Sequence, residues 1–199
     1  PFSSSIYLAA EALKLFGSEE QKLIWLPKIA SGEIIGTIAA TEGAQAPSPN
    51  SVKTKLSNGK LNGTKIPVAD GETASVAIVL VNTGGSGEQA LSLAVVDLTD
   101  ASVTRSPVNT IDPTRGHAEI IFDNTPAELL GNEGEGWSAY KRVEAGAAVL
   151  VAFEQVGGAE AALNMAKEYA LDRYAFGRQI GSYQAIKHKL ADMYVKLEL

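Results

Sequence analysis

The chain has 199 residues, 45% hydrophobic and 20% charged, with no cysteine, two histidines and a formal charge of -6. That apolar fraction excludes disorder as a description of the whole, and the length suits one large or two small domains. The missing cysteine excludes a disulfide framework, a thiolate metal site and a cysteine nucleophile, while the acidic balance argues against nucleic acid, whose phosphates need a basic face. His117 and His188 alone cannot build a three-histidine zinc site. No apolar run reads as long enough for a membrane span, and Pro1-Phe2-Ser3-Ser4-Ser5 lacks the basic region of a secretory signal. A soluble, cytoplasmic setting is therefore expected.

Ile6, Ala9, Ala10, Leu13 and Phe16 recur at three- and four-residue spacing, which predicts a helix ended by Gly17 as a left-handed C-cap. Ser18-Glu19-Glu20-Gln21 reads as a capping box, with Glu19 and Glu20 at the positive end of the helix dipole. This second helix is expected to run to about Ala30, with Gly32 closing it. The period then becomes strand-like: 34–40, 75–81, 91–97 and 118–122 read as strands. Asn58-Gly59 suits a tight hairpin, and Gly84-Gly85-Ser86-Gly87 a flexible loop. Strands at this density predict a small antiparallel sandwich or barrel. After Pro126, the glycine-rich stretch 131–136 leads into a helix over about 137–171. Gly157-Gly158 inside it calls for close approach of another helix or a local kink. The last apolar stripe, Ile186, Leu190, Met193 and Leu197, meets no stop signal, so the sequence predicts a longer chain cut at both ends. The fold class is α+β.

Generic catalytic motifs are weak. The 131–136 stretch has neither the phosphate-loop lysine nor dinucleotide spacing, and Glu133 and Glu135 repel phosphate, so it reads as a linker. Asp112, Arg115 and His117 read as a turn with a local ion pair. Lys187, His188 and Lys189 either meet an anionic ligand or form a solvated helix face, the commoner case. Tyr169, Tyr174 and Phe176 read as core packing.

One string is specific: Arg173-Tyr174-Ala175-Phe176-Gly177-Arg178-Gln179-Ile180, then Gln184, then Leu190-Ala191-Asp192-Met193. It resembles the R-x-x-F-G-x-x-I…Q…LADM signature of the acyl-CoA dehydrogenase family. Three further segments agree in order: Gln21-Lys22…Leu26-Pro27-Lys28-Ile29-Ala30-Ser31-Gly32-Glu33, Thr41-Glu42, and Asn62-Gly63-Thr64-Lys65. The resemblance covers nearly the whole chain. It implies the end of an N-terminal helical domain (1–32), a middle β-domain (33–130) and the start of a C-terminal helical bundle (131–199).

The family resemblance implies FAD held between β-domain and bundle, with a glutamate removing the α-proton of an acyl-CoA while the β-carbon gives up hydride. It also implies electron transfer to an electron-transfer flavoprotein, and a homo- or hetero-oligomer, normally a tetramer. Arg173, Phe176 and Gln184, with Ile180, are implied to reach a neighbour's FAD across a dimer interface. An arginine fork suits pyrophosphate oxygens, and an aromatic can pack on the cofactor. Thr41 is the implied contact to the flavin ring. The remaining ring-side positions depart from the pattern: the serine position is Pro47, with Ser48 next to it, and the covering aromatic and threonine are Pro67 and Ala69. Ala147 stands at the position where some members carry the base, followed by Ala148 where arginine is usual. Glu144 and Glu154 are displaced from it, so the base is expected beyond Leu199 or in a partner chain. Three readings follow: a subunit of a mixed assembly completing a partner's FAD site, a self-sufficient homo-oligomeric dehydrogenase, and a scaffold without flavin.

Overall fold

Residues 76–81 and 91–96 are apolar on both faces apart from Ser92, and such strands must be covered on both sides. In the computed structural model, which describes residues 2–112 and 114–199, they form β4 (Val76–Asn82) and β5 (Leu91–Asp97), antiparallel neighbours within an eight-stranded sheet. Val76, Ile78 and Leu80 face one apolar cluster, and Ala77, Val79 and Val81 face another. Pro1, the first residue of the stretch read as lacking a basic region, lies outside the described residues.

Helices close the first cluster. A π-helical stretch, Ser3–Ala10, runs into α1 (Glu11–Phe16), and α2 (Glu19–Ser31) follows. Ala9, Ala12, Leu13 and Ile29 join Ile78, Leu80, Leu91 and Leu93 in this cluster, with Tyr140 and Val143. In the second cluster, Leu61 and Val68 of β3 (Lys60–Ala69) and Ala118, Ile120 and Phe122 of β7 (His117–Pro126) pack with Val79, Val81, Ala94 and Val96. The other strands are β1 (Gly36–Ala39), β2 (Lys55–Ser57), β6 (Val103–Pro107) and β8 (Glu128–Leu130). The sheet order is β6-β7-β3-β2-β4-β5-β8, with β1 beside β4. The pairing is largely antiparallel, but β1 runs parallel to β4, from Gly36↔Val76 to Ala39↔Val79. The β2–β3 hairpin intervenes between them, which returns the chain in its original direction and permits the parallel match.

Local signals account for most boundaries. The Ser18 hydroxyl accepts from Gln21 N–H and the Gln21 side chain accepts from Ser18 N–H, both at 3.1 Å. Gly32 closes α2 in the left-handed region at φ 75°. Asn58 and Gly59, at φ 51° and 70°, turn β2 into β3 as a two-residue hairpin with both central residues left-handed. Gly17 corrects its expectation, because its backbone is extended (φ -68°, ψ 148°). A Cβ there would lie 2.5 Å from the Leu13 carbonyl oxygen, so glycine serves close approach at a bend straight into the Ser18 cap.

The helix α3 runs from Gly136 to Asp172. A Cβ on Gly136 would lie 2.3 Å from the Ser92 backbone, so its first turn rests directly on β5. An added Cβ at Gly157 or Gly158 meets nothing within 4 Å. The close helix expected there is therefore not found among the described residues, and helical structure continues through both. By length and composition α3 is long and apolar enough to cross a membrane, which corrects the expectation that no segment is. Packing divides the chain inside α3, after Ala147. Unit 2 holds the rest of α3, a hairpin of β9 (Tyr174–Ala175) and β10 (Arg178–Gln179), and α4 (Gln184–Glu198).

Candidate functional site

Four of the residues singled out in the sequence lie together in unit 2. Tyr174 pairs with Gln179 and Ala175 with Arg178, leaving Phe176 and Gly177 as a two-residue turn at φ 51° and 80°. The turn carries Phe176 outward, 97% exposed. The Ile180 N–H donates to the Arg173 carbonyl at 2.8 Å, closing the base of the hairpin. Arg173 and Gln184 are exposed and Ile180 is half-buried. Among the described residues, neither the Arg173 guanidinium nor the Gln184 amide has a hydrogen-bond or ion-pair partner. Gln184 opens α4, placing its side chain at the positive end of that helix.

The core-packing expectation for the aromatics is corrected. Tyr169 and Tyr174 are exposed like Phe176. Lys187, His188 and Lys189 are exposed on α4.

Thr41 lies in unit 1, half-buried, and its hydroxyl donates to the Pro67 carbonyl at 2.8 Å. Its oxygen retains acceptor capacity, but its proton is engaged. Pro47 has neither hydroxyl nor N–H. At Ser48, the N–H donates to Ser51 Oγ at 2.8 Å and the carbonyl accepts from it at 3.0 Å. Pro67 and Ala69 lie on β3 and give no side-chain donor. Among these positions, Pro47, Pro67 and Ala69 carry no side-chain donor and the Thr41 proton is engaged, which leaves the Ser48 hydroxyl.

Two motifs that the sequence presents separately meet here. Lys65, fully buried, donates to Glu42 Oε1 at 2.8 Å and to the Ala40 carbonyl at 3.2 Å. The Glu42 carboxylate also accepts from Lys53 N–H at 2.7 Å and Thr54 N–H at 3.0 Å, pinning both ends of the loop 43–52. Burial pushes the Lys65 ammonium down to about 8, against the opposing pull of Glu42. Burial alone would raise Glu42, but its bonds and charge interaction with Lys65 and the two N–H groups outweigh it and leave its pKa below the ordinary value. A cavity of about 290 Å³ lined by Glu42 to Ala46, Ser51 and Lys53 adjoins this pair. Sequence reasoning named both motifs but missed the pairing. Nothing local in Thr64-Lys65-Ile66 marks this lysine as buried, so the sequence offers no signal for the partner it requires.

Ala147 is buried and brings no carboxylate to the alternative base position. Glu144 accepts from the Tyr140 hydroxyl at 3.2 Å and from Lys141. Burial, reinforced by Glu144, pushes the Tyr140 phenol up to about 12. Asp112 accepts from the N–H and hydroxyl of Thr114, which hold its carboxyl below the ordinary value.

Residues 134–199 match the family model described as the acyl-CoA dehydrogenase C-terminal domain. An acyl-CoA dehydrogenase of Bacillus subtilis (strain 168) is 36% identical over 194 residues, covering 92% of this chain and 51% of that protein. Butyryl-CoA dehydrogenase from Megasphaera elsdenii superposes with a TM-score of 0.88 at 28% identity, over 98% of this chain and 54% of its own. Glutaryl-CoA dehydrogenase from Mycobacterium smegmatis, solved in complex with FADH2, gives 0.84 at 27% identity, over 98% and 52%. The chain spans about half the length of the curated relatives it matches.

Proposed function

Because the chain belongs to the acyl-CoA dehydrogenase family, we propose that it takes part in FAD-dependent α,β-dehydrogenation of an acyl-CoA thioester. In this reading it is a subunit of a mixed assembly and contributes Arg173, Phe176 and Gln184 to a partner's FAD. The observation that carries the proposal is the exposed, hydrogen-bonded hairpin: it presents an uncovered aromatic beside an arginine and an amide without partners among the described residues.

The residues present fit one end of the cofactor. A fixed guanidinium pairs with pyrophosphate oxygens, the amide donates and accepts, and Phe176 packs on an aromatic or sugar surface. They fit the ring end poorly, since Pro47, Pro67 and Ala69 offer no donor and the Thr41 proton goes to Pro67. FAD, when bound, supplies the two-electron acceptor for the dehydrogenation. This chain's own residues bind and orient: Arg173 neutralises phosphate charge, Ile180 supports the hairpin base, and Gln184 fixes a polar edge. Electrons then leave to an electron-transfer flavoprotein, and the assembly is a tetramer, a dimer of dimers. The cavity beside Glu42–Ala46 favours a second reading, a self-sufficient homo-oligomer with a ring site of its own.

Visible absorbance decides between them. The mixed assembly requires a flavin band only after co-expression with a related subunit, lost on Arg173→Ala. A near-stoichiometric band in the protein purified alone supports the homo-oligomer and overturns the mixed assembly.

A further inference from the structure

A hairpin with two residues in each strand does not hold itself together, and Phe176 in the left-handed region adds strain of about 1 kcal/mol. Something outside the hairpin must set it. Tyr183, which none of the motifs singles out, touches it twice. Its hydroxyl donates to the Ala175 carbonyl at 2.9 Å, and the Arg178 guanidinium lies over its ring at 3.9 Å. Ala175 and Arg178 are the pair that flanks the Phe176-Gly177 turn.

The backbone of Tyr183 works in the opposite direction. Its carbonyl accepts from the N–H groups of Ile186 and Lys187, both at 3.1 Å, making it the N-cap of α4, whose first residue is Gln184. The preceding turn is fixed as well: Ser182 Oγ donates to the Gln179 carbonyl at 2.6 Å, and Gly181 sits so close to α3 that a Cβ would lie 2.8 Å from the Ala170 carbonyl oxygen. One residue therefore ties the element that carries Phe176 to the element that carries Gln184.

We propose that Tyr183 is a positioning residue for cofactor binding: its side chain locks the hairpin and its carbonyl locks the start of α4, so that Phe176 and Gln184 meet the adenosine-pyrophosphate end of FAD as one rigid piece. This rests on the flavin role assigned to Arg173, Phe176 and Gln184 above. Cation–π contact with Arg178 and the phenolic hydrogen bond act as two supports that can be removed separately.

The test compares Tyr183→Phe, Arg178→Ala, Arg178→Lys and Arg173→Ala in the assembled protein. The flavin is stripped and rebound, and the melting temperature of each apoprotein is recorded. The expected result for Tyr183→Phe is a roughly three- to tenfold weaker FAD dissociation constant, the worth of one hydrogen bond, with an unchanged apoprotein melting temperature. Arg178→Ala weakens binding similarly and Arg178→Lys recovers part of the loss. If Arg173→Ala weakens FAD binding while Tyr183→Phe and Arg178→Ala leave it unchanged, the positioning role is wrong and the flavin role stands. If Arg173→Ala itself has no effect, both fall. Equal losses of FAD affinity and melting temperature in Tyr183→Phe would show a merely structural residue and also overturn the proposal.

Discussion

Lys65 is a full charge with no solvent exposure, and among the described residues only the Glu42 carboxylate and one carbonyl compensate it. Removing one partner strands the other, so Lys65→Met is expected to cost about 3–5 kcal/mol by urea denaturation, more than the double change with Glu42→Gln. The signs with pH follow from the shifts. Glu42 sits below its ordinary 4.5, so the stability it supplies is complete above that value and lost as pH falls through its lower folded value. Glu42→Gln should flatten the acid limb of the stability curve. Lys65 falls from 10.5 to about 8, so between those values the unfolded chain holds the extra proton and this residue makes stability rise with pH. The difference between the parent protein and Lys65→Met across that window reads it out. For Arg173, loss of a charge-assisted contact to pyrophosphate predicts roughly ten- to hundredfold weaker FAD binding in Arg173→Ala, measured by flavin titration.

Among the elements, those set by local chemistry were legible. The Ser18–Gln21 box, the left-handed Gly32 and the Asn58-Gly59 turn need only neighbouring residues. Ser18→Ala is expected to cost about 1 kcal/mol in thermal unfolding. Gly17 misled because glycine marks two needs, positive φ and close approach, and only the fold shows which applies. The strands β6 and β8 escaped notice because, at the two ends of the sheet order, much of each is exposed, so no apolar alternation marks them. Gly136→Ala tests the other long-range glycine. A methyl at 2.3 Å from the Ser92 backbone forces the first turn of α3 off β5, at about 2–3 kcal/mol, whereas Gly146→Ala, which meets nothing, is the control and should gain up to about 1 kcal/mol from helix propensity.

Across the whole molecule, the exposed hairpin 174–179 was legible only through its motif, since the residue types alone suggested buried aromatics. The Lys65–Glu42 pair was not legible, because it joins positions whose meeting depends on strand register around the Gly63 irregularity of β3. Unit 2 exposes Val149, Leu150, Phe153, Val156 and Met165 along α3. Exposed apolar side chains in this number promote association. The 199-residue chain on its own is expected to bind a hydrophobic dye and to elute above its 20.9 kDa mass. Phe153→Glu combined with Met165→Glu should reduce both.

The Glu42 carboxylate, by holding the Lys53 and Thr54 amides, makes residues 43–52 a ring fastened at its neck. The strands on either side register the neck and not the circumference. Doubling the length of such a ring costs only about 0.6 kcal/mol in closure entropy. Residues 43–51 are therefore an exchangeable cassette: a related loop that carries a hydroxyl where Pro47 stands can be spliced between Glu42 and Val52, which stays in the core, changing what the ring offers a ligand while the frame beneath it stays the same.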